Sequence, residues 1–120
     1  MRVTLSLITR GRRSGEPREV ELYAFSDADS WVVVGSRGGS PIDPRWAENL
    51  RAEPRAVVRF RGELRPVRAR EVQGPERERL WAMVSEDFPT YLYYEAKTKR
   101  LIPIFVLEPD PELPTPAEDR

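Results

Sequence analysis

The feature that most constrains the fold is a pair of alternating segments near the amino end, joined by a short polar connection. Apolar and polar side chains alternate over residues 3–9 and again over residues 18–25, where Val20 and Leu22 share one face. An alternation of period two is typical of a half-buried β-strand. Residues 11–15, which lie between the two segments, begin and end with glycine. The sequence therefore predicts a β-hairpin and an antiparallel sheet with one face in the core.

Further strands and helical segments follow along the chain. Residues 31–34 are apolar without alternation, which predicts a strand that is covered on both faces. Pro66 cannot donate to a sheet ladder, so its strand is predicted to be an edge strand or to contain a bulge. The remaining predicted strands are residues 55–61, 64–72 and 102–107, and the helical segments after the first helix are residues 76–86 and 90–97. The pattern predicts a mainly β (α+β) fold, a single small antiparallel barrel with two or three helices packed on it.

The chain length and its ends predict one domain and a tail. A chain of 120 residues fits one domain with one core. Residues 1–108 are predicted to form the barrel domain. Residues 109–120 are rich in proline and acidic side chains, which predicts a disordered tail. The start of the chain lacks the apolar run of a signal peptide, and no stretch is long and apolar enough to span a membrane, so we expect a cytoplasmic protein.

Two absences restrict the chemistry. The chain has no cysteine and no histidine. Disulfides, thiolate metal sites, a histidine general base and most transition-metal sites are therefore excluded, and we predict no metal site.

The stretch from Ser36 to Asn49 is the first candidate site. Gly38 and Gly39 can adopt positive φ and direct their N–H groups into a concavity. Asp43 is a suitable N-cap, with a proline next to it for the first helical position. A strand, a glycine loop and a helix start together favour a ligand that accepts hydrogen bonds, although a tight loop without a ligand fits the residues equally well.

The predicted hairpin turn is the second candidate site. It places Arg12, Arg13 and Arg18 around Ser14. Arginine binds phosphate and carboxylate groups through two parallel hydrogen bonds. The turn is therefore either an anion clamp or a solvated basic turn.

Two other clusters have a structural explanation beside a functional one. Phe88, Tyr91, Leu92 and Glu95 lie at helical spacing, with Tyr94 adjacent, and form either a core face or the wall of a pocket. Five arginines on the fourth and fifth strands could form a basic face for nucleic acid, but glutamates interleave with them and stacking aromatics are missing. We predict a solvated outer face and no nucleic-acid partner for Arg59, Arg61, Arg65, Arg68 and Arg70.

Four motifs occur in an order that is similar to one known family. They are residues 9–18 (TRGRRSGEPR), 36–39 (SRGG) with 44–50 (PRWAENL), 88–91 (FPTY) and 102–109 (IPIFVLEP). From residue 9 to residue 109, the chain resembles the deazaflavin-dependent nitroreductase family of split β-barrel oxidoreductases.

This resemblance implies coenzyme F420, an 8-hydroxy-5-deazaflavin with a phosphate and a polyglutamate tail, bound by domain 1–108. The basic turn is implied to hold the phosphate and tail, the strand end and loop to hold the ring, and the later tyrosines to wall the ring and substrate. The implied cofactor-binding residues are Arg12, Arg13, Ser14, Arg18, Val34, Gly35, Ser36, Arg37, Arg45, Trp46, Ala47, Glu48, Asn49 and Tyr91. The implied catalytic residues are Ser36, Tyr91 and Tyr94.

The implied activity is hydride transfer from the reduced deazaflavin to a small electron-poor acceptor such as a quinone, an enone or a nitroaromatic. An FMN-binding split-barrel oxidoreductase and a non-catalytic deazaflavin-binding protein are the alternatives. Phe88 stands where the best-known members have tyrosine, so a hydroxyl role is lost there. We also expect the chain to lack the N-terminal helical segment of many members, and to be a monomer or a homodimer.

Overall fold

The computed structural model describes residues 2–111, which form a barrel with three α-helices and a 3-10 turn over Arg37–Gly39. The predicted elements are all present, with ends shifted by at most two residues. The strands are β1 (Arg2–Arg10), β2 (Pro17–Asp27), β3 (Ser30–Val34), β4 (Arg55–Phe60), β5 (Glu63–Glu71) and β6 (Ile104–Pro109). The helices are α1 (Arg45–Ala52), α2 (Gly74–Asp87) and α3 (Thr90–Lys97).

The six strands close into an antiparallel barrel in the order β1-β2-β3-β6-β5-β4, with β1 paired to β4. The predicted hairpin has the register Leu5 opposite Leu22 and Leu7 opposite Val20. Because Val3, Leu5 and Leu7 of β1 lie opposite apolar residues of β2, both strands direct an apolar face inward. The prediction of a small antiparallel barrel with packed helices is confirmed.

The barrel is open along part of β2. The whole of β1 pairs with β2, whereas β3 pairs with β2 only at residues 25–27. Among the described strands, residues 17–24 therefore have a partner on one side only. This gap between β2 and the chain that follows β3 is the split in the barrel.

Two apolar clusters hold the fold together. Inside the barrel, Trp46, Ala47 and Leu50 of α1 pack among strand side chains such as Val58 and Phe105. On the outside, α2 and α3 cover β3 and β6, and their buried side chains include Leu80, Val84 and Tyr91. The continuous apolar runs of β3 and β6 are explained by this arrangement, since one face contacts α1 and the other contacts α2 and α3.

Three predictions about particular residues are wrong. Asp43 does not cap α1, which has Pro44 as its N-cap residue, because the Asp43 carboxylate accepts hydrogen bonds from Arg51 and Arg100 instead. Pro44 consequently precedes the helix rather than occupying its first position. The strand of Pro66 is not an edge strand, because β5 pairs with β4 on one side and with β6 on the other, and its register with β4 runs through Pro66 without a bulge.

The end of β6 reaches into the predicted tail. Pro109 is the last residue of β6, and the N–H of Asp110 donates to the carbonyl of Pro66 over 3.1 Å. Pairing with β5 thus continues past the predicted boundary at residue 108. The rest of the predicted tail, residues 112–120, lies outside the described residues.

Candidate active site

A cavity of about 1310 Å³ lies in the split of the barrel. Its walls come from the part of β2 that pairs only with β1, the β1–β2 turn, the loop after β3, the first turns of α1, Phe88 and α3. All but two of the predicted site residues line it, namely Arg12, Arg13, Ser14, Arg18, Val34, Ser36, Arg37, Arg45, Trp46, Glu48, Asn49, Tyr91 and Tyr94. The structure thus brings together three segments that are far apart in the sequence.

A buried amide fixes the β1–β2 turn against α1. Asn49 is 6% exposed, its Nδ2 donates to Thr9 Oγ1 over 3.0 Å, and its Oδ1 accepts from the N–H of Arg12 over 3.1 Å. Asn49 therefore determines where the backbone of the turn lies relative to the helix.

The arginines of the turn form what we call the basic end of the cavity, defined by Arg12, Arg13 and Arg18. All three are exposed. Arg12 Nη2 lies 3.0 Å from Glu48 Oε1, and Arg18 Nη2 donates to Ser14 Oγ over 3.2 Å. Since an exposed ion pair contributes little stability, an incoming anion can replace Glu48 at small cost.

In the loop after β3, backbone N–H groups donate to carbonyls of the same loop. Arg37, Gly38 and Gly39 have φ values of 45°, 61° and 83°. The N–H of Gly39 donates to the Ser36 carbonyl over 2.9 Å, and the N–H of Ser40 donates to the Arg37 carbonyl over 3.0 Å. The predicted concavity of glycine donors is therefore wrong for Gly39, because its N–H is bonded within the loop.

Gly39 is required by a close approach to α3. A Cβ at this position would lie 2.9 Å from the carbonyl oxygen of Tyr94. The loop and the last turn of α3 therefore touch through backbone atoms, which keeps Ser36 and Tyr94 on one side of the cavity.

Four rings form what we call the aromatic end of the cavity, defined by Tyr23, Phe88, Tyr91 and Tyr94. The ring of Phe88 lies 4.9 Å from that of Tyr91 and 5.4 Å from that of Tyr23, both edge to face. Tyr91 is only 4% exposed, and burial raises the pKa of its hydroxyl above the ordinary value. The phenol consequently stays protonated over the physiological range and can donate a hydrogen bond.

The face of α3 that reaches the cavity differs from the predicted one. Residues 88, 91 and 94 line it, whereas Leu92 is 50% exposed and Glu95 is exposed. The prediction grouped Leu92 and Glu95 with Tyr91 because the spacing fits a helix. In α3, only one side of the predicted helical face is turned toward the cavity, and Leu92 and Glu95 lie on the exposed side.

The two ends are separated along β2. Arg18 and Tyr23 both line the cavity and are five residues apart on this strand. At about 3.3 Å per residue, their Cα atoms are roughly 17 Å apart. The cavity is therefore long enough to hold an elongated ligand with chemically different ends.

Gly35 and Ala47 are the two predicted residues that do not line the cavity. A Cβ at Gly35 would lie 2.8 Å from Pro103 Cγ, and Ala47 is fully buried in the barrel interior. Both residues therefore pack behind the residues that line the cavity.

The sequence patterns did not predict that further residues of β1 and β2 line the cavity. These residues include Thr4, Thr9, Val20, Glu21, Leu22 and Tyr23. The alternation of β2 was interpreted as an ordinary core face. No local signal shows that residues 17–24 lack a second strand partner, since pairing depends on where β3 lies.

The arginines of β4 and β5 lie on the outside of the barrel among carboxylates. Arg59 pairs with Glu19 over 3.0 Å and Arg70 with Glu76 over 2.7 Å, while Arg65 pairs with Glu63. These contacts describe a solvated face of alternating charge.

Residues 2–111 contain neither a metal-binding group of acidic side chains nor a membrane-spanning helix. Within that range no group of three or more acidic side chains is arranged to hold a metal ion. No helix within the described part of the chain has the length and apolarity to cross a membrane.

A comparison with protein families identifies the family of the chain. The model of the F420H(2)-dependent quinone reductase family matches residues 1–109. The chain belongs to this family. The resemblance expected from the four motifs is thereby confirmed.

Relatives in this family have the same fold. An F420H(2)-dependent quinone reductase of Mycobacterium tuberculosis (strain H37Rv) is 36% identical over 107 residues, which cover 87% of this chain and 72% of the relative. The solved structure of an F420-H2 dependent reductase matches with a TM-score of 0.79 at 37% identity, covering 88% of this chain and 93% of that one. A structure described as a domain-swapped dimer matches with a TM-score of 0.80 at 37% identity, and the match covers 88% of this chain and 79% of that one.

Proposed function

We propose that this protein is an F420H2-dependent quinone reductase, which binds reduced coenzyme F420 in the cavity and transfers a hydride to a quinone. The observation that carries the proposal is a single cavity with guanidinium groups at one end and aromatic rings at the other. Family membership supplies the cofactor class.

The residues of the cavity fit this cofactor. Ligand pockets are commonly about 300–1,000 Å³, so a cavity of about 1310 Å³ suits a large ligand. Coenzyme F420 has a flat ring and a long anionic part. The roughly 17 Å between Arg18 and Tyr23 allows these two parts to contact opposite ends.

At the basic end, Arg12, Arg13 and Arg18 would hold the phosphate and tail carboxylates. Each guanidinium offers parallel N–H groups that match an oxyanion, and Ser14 adds a hydroxyl. Because the three arginines are exposed before binding, the cation–anion attraction is strongest at low salt. This end supplies affinity.

Near the aromatic end, Val34, Ser36 and Arg37 would contact the ring. When bound, reduced coenzyme F420 supplies the hydride from its C5 position. Tyr91 and Tyr94 wall the cavity and exclude water, and the Ser36 hydroxyl is our candidate for a hydrogen bond to the reactive end of the ring. Arg45, Trp46, Glu48 and Asn49 line the groove between the two ends.

A quinone that accepts a hydride becomes a hydroquinone anion and needs one proton. Tyr91 is a suitable donor of a hydrogen bond to that anion, because its hydroxyl is protonated. Burial raises the pKa of Tyr91 and opposes loss of its own proton, so solvent supplies the proton through the open side of the cavity. Enones and nitroaromatics are electron-poor acceptors of the same kind and belong to the same proposal.

The test compares two cofactors on the purified protein. Oxidised coenzyme F420 at a hundred times its Kd stabilises the fold by about 2.7 kcal/mol, which raises Tm by roughly 10 °C, whereas FMN at the same concentration should not. Turnover is then measured with reduced coenzyme F420 and menadione.

A Tm increase with FMN alone would favour the flavin alternative. Binding of coenzyme F420 without oxidation by menadione, an enone or a nitroaromatic would favour a non-catalytic binding protein.

The cellular location and the oligomeric state complete the proposal. We propose a cytoplasmic enzyme that is a monomer or a homodimer. Cell fractionation tests the first statement, and light scattering on the purified protein tests the second.

A further inference from the structure

One partly buried guanidinium, which the sequence did not point to, donates hydrogen bonds to the loop between β3 and α1. Arg100 lies between α3 and β6, and its side chain is only 13% exposed. Nε donates to the Ser40 carbonyl over 2.7 Å, and Nη2 donates to the Ser36 carbonyl over 2.7 Å. Nη1 donates to the Gly35 carbonyl over 3.1 Å and to Asp43 Oδ1 over 2.8 Å.

The loop needs such support. Arg37 has a φ of 45°, in the left-handed region that a residue with a side chain seldom adopts. Such a backbone persists only where the surrounding structure fixes it. Arg100 binds the carbonyls of Gly35 and Ser36 just before this residue and that of Ser40 after it.

Asp43, the carboxylate that accepts from Arg100, also accepts a hydrogen bond from α1. Asp43 Oδ2 accepts from Arg51 Nη1 over 2.7 Å. Arg51 in turn binds both carboxylate oxygens of Glu71 on β5, over 2.8 and 2.9 Å. A chain of charged groups therefore connects the loop to α1 and to β5.

We propose that Arg100 is a positioning residue that holds the left-handed loop so that Ser36 faces the reacting end of the cavity. The role given to Ser36 rests on the proposed function, whereas the support of the loop does not. A lysine at this position carries the same charge but cannot direct four N–H groups at four acceptors. Arg100→Lys should therefore release the loop while leaving the basic end intact.

The first experiment measures amide hydrogen exchange without any cofactor. In Arg100→Lys, a peptide covering residues 35–43 should exchange about tenfold faster or more, because charged hydrogen bonds that restrain it are lost. A peptide of β1 should be unchanged. Asp43→Asn, which removes the charge of one acceptor, should give a smaller increase in the same peptide.

Arg77→Lys is the matched control. Arg77 Nη2 also donates to a backbone carbonyl, that of Ile102, over 2.7 Å, and within the described residues its side chain is not seen to bond residues 35–43. Its replacement should leave exchange of residues 35–43 at the wild-type rate. Equal exchange in Arg100→Lys and wild type would overturn the proposal, as would the same acceleration in Arg77→Lys.

The second experiment asks whether Arg100 acts through Ser36. Arg100→Lys should lower kcat with menadione by about tenfold and change the Kd of coenzyme F420 much less, since the arginines of the turn are untouched. The double variant Ser36→Ala with Arg100→Lys should be no slower than Ser36→Ala alone. Additive losses would overturn the link to Ser36. A wild-type protein that neither binds the cofactor nor reduces menadione would instead refute the proposed function, and the exchange result would still decide the support of the loop.

Discussion

At the basic end of the cavity, the side chains of Arg12 and Glu48 are each 39% exposed and form an ion pair over 3.0 Å. At the aromatic end, Tyr91 is 4% exposed and has rings on several sides. The first end consists of charged groups in contact with water, whose partners can be exchanged. At the second end, Tyr91 is packed among other rings before any ligand arrives, while Tyr23 is 45% exposed.

This difference indicates a division of labour within one cavity. Exposed charges attract an anion over a distance, and salt weakens that attraction. Packed rings hold a flat molecule in one orientation, and salt has little influence on them. The basic end should therefore set the affinity for the cofactor, and the aromatic end with Ser36 should set the rate.

The largest expected effect tests the basic end. Replacing Arg12 and Arg13 together with alanine should weaken binding of coenzyme F420 by roughly 1.5–3 kcal/mol for each charged hydrogen bond lost. The difference from wild type should shrink at high salt, as measured by fluorescence titration. Replacing Arg61, an exposed arginine outside the cavity, is the control. If the double variant binds coenzyme F420 as tightly as wild type, Arg12 and Arg13 do not form an anion clamp.

The next effect tests the other end. Ser36→Ala should lower kcat by about 10²-fold, the usual loss when one oriented hydrogen bond to the reacting group is removed. Because the arginines remain, the Kd of coenzyme F420 and its salt dependence should hardly change. Stopped-flow kinetics with menadione measures the rate. If Ser36→Ala keeps the wild-type rate, Ser36 has no part in the reaction.

A stability measurement tests whether Tyr91 is as buried as the comparison requires. Burial raises the pKa of Tyr91 in the folded state above its value in the unfolded state. The unfolded chain therefore loses this proton first, and the free energy of unfolding should fall as the pH rises above about 10.

Tyr91→Phe should remove this part of the alkaline loss. Urea denaturation of both proteins at pH 8 and pH 11 measures it, with Tyr93→Phe as the control, since Tyr93 is 63% exposed. Equal alkaline losses in wild type and Tyr91→Phe would contradict the assignment.

The smallest expected effect concerns the ion pair at the basic end. Glu48→Gln frees Arg12 from its carboxylate and removes a negative charge from the groove. Coenzyme F420 should bind a few-fold more tightly, since exposed ion pairs are worth up to about 1 kcal/mol. Titration at low salt reveals the gain, and kcat should stay at its wild-type value. Weaker binding would mean that Glu48 contacts the ligand directly.

Much of the fold could be predicted from local patterns. The alternation of β1 and β2 and the apolar run of β3 are enough to predict a sheet with a covered face, because side-chain period follows directly from backbone geometry. Pro75 lies in the first turn of α2, and Pro89 lies between α2 and α3, where a proline is expected to start or end a helix. The turn arginines and the glycine loop were found for the same reason, since each is a short run of residues with a clear chemical preference.

The errors concern partners that are distant in the sequence. Asp43 has the properties of an N-cap, but Arg51 and Arg100 compete for its carboxylate, and charged hydrogen bonds win over capping. Leu92 has the spacing of a buried residue, but nothing in the helix itself shows where α2 and the barrel end. These choices depend on packing between elements.

The sequence alone determined which segments are strands and helices, that thiol and imidazole chemistry is excluded because cysteine and histidine are absent, and which family the chain belongs to. Only the tertiary structure decided that β3 leaves most of β2 without a second strand partner, that the turn and the loop face one cavity in that gap, and that Arg100 bonds the loop. The reason is physical: periodicity and charge are properties of neighbouring residues, whereas a gap in a barrel and a shared guanidinium arise only when distant segments are brought together.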